Sequence, residues 1–321
     1  MPYSRVEFDA SKKGLEMIAA LELAAGTAAG PTATETLATL PARKRLAFRG
    51  GSLSYREAGA GPAIVFLHGL LGCSDSWVFQ LRDLSDAYRV VAWDAPGYGE
   101  STVVEPDVAV FADALDALLE HLQAENVSVV GHSMGGVVAA VAAARPATRI
   151  RQLVLSCTHP GYGEPPDSPP TAKLLQRIED MEKLGPEAYG RQRARGMVAP
   201  CASPGAIDLA ARVAAQTRPD GLFSATRALQ FADARPCYAE LRARTLVLFG
   251  AQDPVVRPRF SVELRRLTPF ARHVDLPGVG HAPYLENPDA YSATIRAVIA
   301  SWQREAAIMP RIAKPPAAAT A

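Results

Sequence analysis

Cysteine is scarce in this sequence, and so are long apolar runs and charge of one sign; each shortage removes a class of function. The four cysteines, Cys73, Cys157, Cys201 and Cys237, never come in the close pairs that a zinc site or a redox dithiol needs, and are expected as reduced thiols. A formal net charge of +1 supplies no broad field for nucleic acid or acidic lipid. No stretch is long and apolar enough to span a bilayer. Glu7, Asp9, Lys12, Lys13 and Glu16 stand where a secretory signal needs an unbroken apolar segment. No G-x-G-x-x-G or phosphate loop follows the first parallel strand, so no cofactor is implied. The expectation is a soluble, cytoplasmic chain with no nucleic-acid or membrane partner, and with homodimer formation left open.

What is present is an alternation of apolar runs and helical patterns along 321 residues, long enough for one large core with an inserted subdomain. A hairpin is expected at Leu46–Arg49 and Ser52–Glu57, then buried strands at Ala63–Leu67, Arg89–Trp93, Val127–Val130 and Gln152–Ser156. Helices fall between them, near 76–84, at 107–124 and after Ser133. Unbroken apolar strands separated by helices predict an α/β fold with a mostly parallel sheet covered on both faces. Residues 161–234 break the rhythm, with a Pro-dense opening, many arginines and no credible strand. The rhythm resumes with a strand at Thr245–Phe249, a helix at 259–267, a short strand at Arg272–Asp275 and a helix from Pro288 to Arg304. This divides the chain into an N-terminal extension (1–44), a core (45–160 and 235–305), a helical insertion (161–234) and a flexible Pro/Ala tail (306–321). Within the extension, Leu15, Met17, Ile18 and Leu21 suggest a short helix followed by an Ala/Thr/Gly/Pro linker.

Three strand ends carry chemistry. Gly131-His132-Ser133-Met134-Gly135-Gly136 lies between a strand and a helix of Ala and Val, the setting of a nucleophile elbow, with Ser133 on the tight turn. The bland alternative is a glycine-rich turn with an incidental serine. A serine hydroxyl needs a base to take its proton and an acid to orient that base. His281, in the loop after the last strand, is the candidate base; Asp253, in the turn after Thr245–Phe249, is the candidate acid. Singly, Asp253 could be a turn former and His281 a structural histidine, but three such residues at three strand ends in the order Ser, Asp, His form one pattern. Two backbone donors for an oxyanion are expected from Met134, after the serine, and from Leu70, in the loop His68-Gly69-Leu70-Leu71-Gly72. His68, Gly69, Trp77, Cys157, His159 and Tyr284 are expected around the pocket, with a core role as the alternative. His132 is expected to point away from a substrate. Arg177, Arg191, Arg193, Arg195 and Arg227 are each candidates to clamp a carboxylate, against the simpler reading of a solvated helical face.

Together with Asp94-Ala95-Pro96-Gly97-Tyr98-Gly99-Glu100-Ser101 and Gly280-His281, these motifs resemble the α/β-hydrolase superfamily over residues 46–304. The resemblance implies that 161–234 is a helical cap over the site and that residues 94–101 form a structural loop beside it. The spacing is similar to 3-oxoadipate enol-lactonases and related carboxylesterases. Serine at the elbow departs from haloalkane dehalogenases and epoxide hydrolases, which carry aspartate there. Ala282, where carbon–carbon bond hydrolases often have tryptophan after the histidine, counts against that chemistry without removing it. The implied activity is hydrolysis of an ester or lactone of a small organic acid through an acyl-serine intermediate. Carbon–carbon bond hydrolysis, other acyl-transfer or lyase chemistry on the same triad, and a ligand-binding receptor with a vestigial triad stay open.

Overall fold

The computed structural model describes residues 32–308; the expected helix around Leu15 and the tail from Pro310 lie outside them. In chain order the elements are α1 (Ala33–Ala38), β1 (Lys44–Phe48), β2 (Gly51–Ala58), β3 (Ala63–Leu67), α2 (Val78–Asp83, preceded by a 3-10 turn at Ser74–Trp77), β4 (Arg89–Trp93), α3 (Val108–His121), β5 (Val127–His132), α4 (Met134–Ala143) and β6 (Ile150–Ser156). There follow α5 (Ala172–Arg195), α6 (Pro204–Ala214), α7 (Pro219–Phe231), α8 (Arg235–Glu240), β7 (Arg244–Gly250), α9 (Pro258–Leu267), β8 (Arg272–Leu276), α10 (Pro283–Glu286) and α11 (Pro288–Ile308).

The eight strands form one sheet in the order β1-β2-β4-β3-β5-β6-β7-β8. The β1–β2 and β2–β4 pairs are antiparallel and all the others parallel, so the α/β architecture with a mostly parallel sheet is as the apolar runs predict. Side-chain alternation divides the core into two layers. Val65 and Leu67 of β3 join the layer that includes α4, whereas Ile64 and Phe66 face the layer that includes α2 and α11. Both faces are covered, which is why β3 reads as a continuous apolar run and not as an alternating one. After β3 the chain goes to β4 on one side and then returns to β5 on the other. This reversal opens a crevice at the C-terminal ends of β3 and β5, where ligands bind in open parallel sheets.

Two elements differ from the sequence reading. The segment expected as a linker contains α1, opened by a capping box in which Thr32 accepts from the Glu35 amide and Glu35 accepts from the Thr32 amide. Ala33 of this helix packs into the core, and Arg43 beyond it bonds Asp75 at 2.8 Å and Asp94 at 3.1 Å. The last helix also runs past the expected end at Arg304 to Ile308. Between β6 and β7 the described chain forms the helices α5 to α8, joined by irregular segments and an isolated bridge between Gly161 and Asp233. Among the described residues no helix is long and apolar enough to cross a membrane.

Candidate active site

Ser133 stands at the step from β5 into α4 with φ 52° and ψ −116°, a left-handed backbone that costs free energy and is held by the surrounding packing. Its amide donates to Ser156 O at 2.9 Å and its carbonyl accepts from Thr158 Oγ1 at 2.6 Å, so both sides of the turn are tied to the neighbouring strand. The close packing of strand against helix explains Gly131, where an added Cβ would overlap the backbone of Gly135 and Gly136. The turn leaves Ser133 at the N-terminus of α4, the positive end of a helix dipole.

Asp253 and His281 come together at the ends of β7 and β8. His281 Nδ1 and Asp253 Oδ2 are 2.8 Å apart, with the side chains only 5% and 4% exposed. Asp253 Oδ1 accepts from the amides of Val255 at 2.7 Å and Val256 at 3.0 Å. Burial opposes the carboxylate charge, yet the imidazole and these two amides override it and hold Asp253 below the ordinary aspartate range. Since Asp253 is an anion that only accepts, Nδ1 of His281 carries the proton, which leaves Nε2 as the basic nitrogen.

Ser133 and His281 share a cavity of about 60 Å³ with Gly69, Leu70, His132, Arg177, Arg193 and Tyr284. Among the described residues no hydrogen bond joins the Ser133 hydroxyl to His281. Ser133 and Leu70 also border a larger cavity of about 280 Å³, walled by His159, Tyr162, Leu229 and Phe260 and by residues of α5 and α7. Neither the Leu70 nor the Met134 amide donates to an acceptor among the described residues. Leu70 borders both cavities, and Met134 follows Ser133 directly at the first turn of α4. Tyr98 fixes the Leu70 end by donating its hydroxyl to Leu70 O at 2.8 Å.

Of the expected pocket residues, Gly69, His159 and Tyr284 border these cavities, whereas His68, Trp77 and Cys157 do not. His68 is fully buried and its Nε2 accepts from the Ala95 amide at 3.0 Å, joining the Leu70 loop to the 94–101 loop. Trp77 is a core residue, its ring 4.6 Å from Tyr284 and 4.9 Å from Phe66. Cys157 sits behind the acid and base, where its Sγ accepts from the Gly250 amide at 3.4 Å and burial keeps the thiol protonated. Asp94 accepts from Ser74 N at 2.7 Å and Ser54 Oγ at 2.6 Å, which braces the loop as expected.

His132 was not anticipated as part of the site. It borders the small cavity, and its Nε2 donates to the backbone carbonyl of His281 at 2.6 Å. One donor atom each of His132, Cys157 and His281 lies within 4.8 Å of the others. One nitrogen of each histidine is committed, His132 Nε2 to the His281 carbonyl and His281 Nδ1 to Asp253, and burial holds Cys157 as a thiol, while His132 Nδ1 has no hydrogen-bond partner. The Val255 and Val256 amides were also missed, although an Asp followed by Pro in a turn is a readable sign of a side chain bonded to its own loop.

A model of the alpha/beta hydrolase fold matches residues 62–288, and the chain belongs to that family. This family makes it an enzyme of the hydrolase kind. It is 28% identical over 254 residues to 3-oxoadipate enol-lactonase 2 of Acinetobacter baylyi, covering 77% of this chain and 93% of that one. It is 26% identical over 250 residues to the dihydrolipoyllysine-residue acetyltransferase component of the acetoin cleaving system of Cupriavidus necator, covering 75% of this chain but 64% of the relative's length. The crystal structure of the enol-lactonase from Burkholderia xenovorans superimposes with a TM-score of 0.70 at 25% identity, covering 80% of this chain and all of that one.

Proposed function

We propose that this enzyme hydrolyses an ester or lactone of a small organic acid through an acyl-serine intermediate. The Ser133 Oγ attacks the carbonyl carbon while His281 Nε2 takes its proton. The tetrahedral oxyanion is held by the amides of Leu70 and Met134 at the N-terminus of α4. Collapse of the intermediate expels the alcohol oxygen, which receives the proton from His281. Water then attacks the acyl-serine with His281 as base, and the acid leaves with Ser133 restored. Asp253 keeps Nδ1 protonated and stabilises the imidazolium. In this reading residues 161–234 are a cap whose helices close the acyl pocket, and the unpaired thiols support a reducing, cytoplasmic setting.

The observation that carries the proposal is the His281–Asp253 bond of 2.8 Å at the wall of a cavity that Ser133 also borders. Similarity to an enol-lactonase over most of both chains supports the lactone or ester bond as the target. Turnover of an activated ester in H₂¹⁸O tests it. Hydrolysis places one solvent oxygen in the released acid and shows a stoichiometric burst that Ser133→Ala abolishes; an unchanged burst in that variant, or acid free of solvent oxygen, overturns it.

A further inference from the structure

Arg177 and Arg193 differ from most partly buried arginines in having no carboxylate; Arg227 also lacks one, but its guanidinium is satisfied by Gln230 Oε1 at 2.8 Å and Ser168 O at 2.7 Å. Arg43 meets Asp75 and Asp94, Arg56 meets Asp75, and Arg145 meets Asp113 and Asp116. Arg177 and Arg193 meet no acid among the described residues, although the Nε of each is buried and lacks a hydrogen-bond partner. Burial, and then repulsion from Arg193, lower the pKa of Arg177; burial, Arg177 and Arg193 lower that of Lys173. Bringing cations together away from water, with no anion to answer them, costs free energy. Such an arrangement is resolved when a ligand brings the missing negative charge.

The chain builds this pair by breaking one helix. Sixteen positions separate the two arginines on α5, roughly 24 Å along a straight helix. Gly185, at φ 72°, and Pro186 interrupt α5, and each half contributes an arginine to the lining of the small cavity that Ser133 and His281 border. Only glycine takes that φ without strain, and proline removes the amide the helix would need. Arg177 also faces the larger cavity, with Lys173, Arg257 and Arg259. The one carboxylate there, Glu164, is bonded to Gln230 Nε2 at 2.6 Å.

We propose that Arg177 and Arg193 form a carboxylate cradle, so that the preferred substrate is an ester or lactone of a small organic acid that carries a second, ionised carboxyl group. This rests on Ser133 being the nucleophile. The planar guanidinium fork matches a carboxylate's two oxygens, and anchoring that end fixes the distance from the free carboxylate to the scissile carbonyl.

The test compares the mono-p-nitrophenyl ester of a six-carbon dicarboxylic acid with p-nitrophenyl hexanoate, of equal chain length and lacking the charge. The wild-type kcat/KM should favour the charged ester at least tenfold. Arg177→Gln and Arg193→Gln should each lower that ratio about 10- to 100-fold, mainly through KM, as loss of a charged hydrogen bond predicts. Arg177→Lys should recover part of it, and the exposed Arg191→Gln should leave it unchanged. In parallel, the free dicarboxylate is titrated calorimetrically into Ser133→Ala, with sodium sulfate at equal ionic strength as reference. Saturable binding of the dicarboxylate that Arg177→Gln removes supports the cradle. Turnover of both esters with no preference, and no dicarboxylate binding, overturns it while leaving the serine mechanism standing. Dicarboxylate binding with no turnover of either ester overturns the nucleophile assignment, and the substrate class with it.

Discussion

His132 donates from Nε2 to the main-chain carbonyl of His281 across 2.6 Å, so the residue before the nucleophile holds the loop that carries the base. The two rings are 4.7 Å apart, and burial followed by the nearby His281 keeps His132 neutral. One hydrogen bond thus sets the elbow and the base loop in fixed relation, which is what proton transfer between their side chains requires.

Replacing His132 by Leu removes the donor and leaves the His281 carbonyl unsatisfied. The expected cost is about 1–3 kcal/mol of stability. Misplacement of the imaidazole should lower kcat about 10- to 100-fold with a smaller change in KM. Steady-state kinetics beside a thermal melt check both; a variant with wild-type kcat would show that the bond is structural alone.

Asp253→Asn keeps the shape of the acid but offers Nδ1 of His281 a neutral partner. Activity should fall on the order of 10³- to 10⁴-fold, as expected when the base is held in the wrong tautomer. The amides of Val255 and Val256 can still bond the remaining side-chain oxygen, so far-UV circular dichroism should match the wild type. A loss of less than tenfold would remove Asp253 from the mechanism.

Gly131→Ala tests the packing under the elbow. The new methyl group would meet the backbone of Gly135 and Gly136, with no flexible side chain to yield. Overpacking of this kind costs roughly 1–3 kcal/mol, and a chemical denaturation midpoint should fall accordingly. An unchanged midpoint would mean that strand and helix separate more easily than their contact implies.

Acid should destabilise the protein below pH 6.5. Burial holds His68 and His159 at about 4, and holds His132 well below the usual imidazole range. In this window the unfolded histidines bind protons that the folded ones refuse, so stability is complete above pH 6.5 and is lost as pH falls toward about 4. For His159 alone the scale is about 3 kcal/mol. Asp253 acts lower: its folded pKa is depressed, so its contribution is present above the unfolded aspartate pKa and is lost only as pH falls below it. Melting temperature measured from pH 7.5 to 4.5 should decline, and less steeply in His159→Gln; a flat profile contradicts the buried neutral state.

Sequence carried most of the sheet because the parallel strands β3 to β7 are largely apolar and buried on both faces, whereas the edge strand β8, Arg-His-Val-Asp-Leu, is only partly covered. It pointed to Ser133 and Asp253 through the apolar runs of β5 and β7 before them, and to His281 through the glycine-containing loop after the polar strand β8. It did not carry depth: His68, Trp77 and Cys157 adjoin the same strand ends, yet their side chains turn behind the cavity, which spacing does not reveal. The Thr32–Glu35 capping box was present to be read, and was hidden by the small residues around it. The pairing of Arg177 with Arg193 depends on the break at Gly185 and Pro186. The direction in which a broken helix continues is set by what it packs against, and so lies outside local pattern.

The most direct test of Ser133 as nucleophile is active-site labelling with a fluorophosphonate, read by peptide mass spectrometry. One phosphonyl adduct per chain is predicted on the peptide containing Ser133, slowed strongly in His281→Ala and absent in Ser133→Ala. A folded wild-type enzyme that stays unlabelled at Ser133, or is labelled equally fast without His281, would contradict the account.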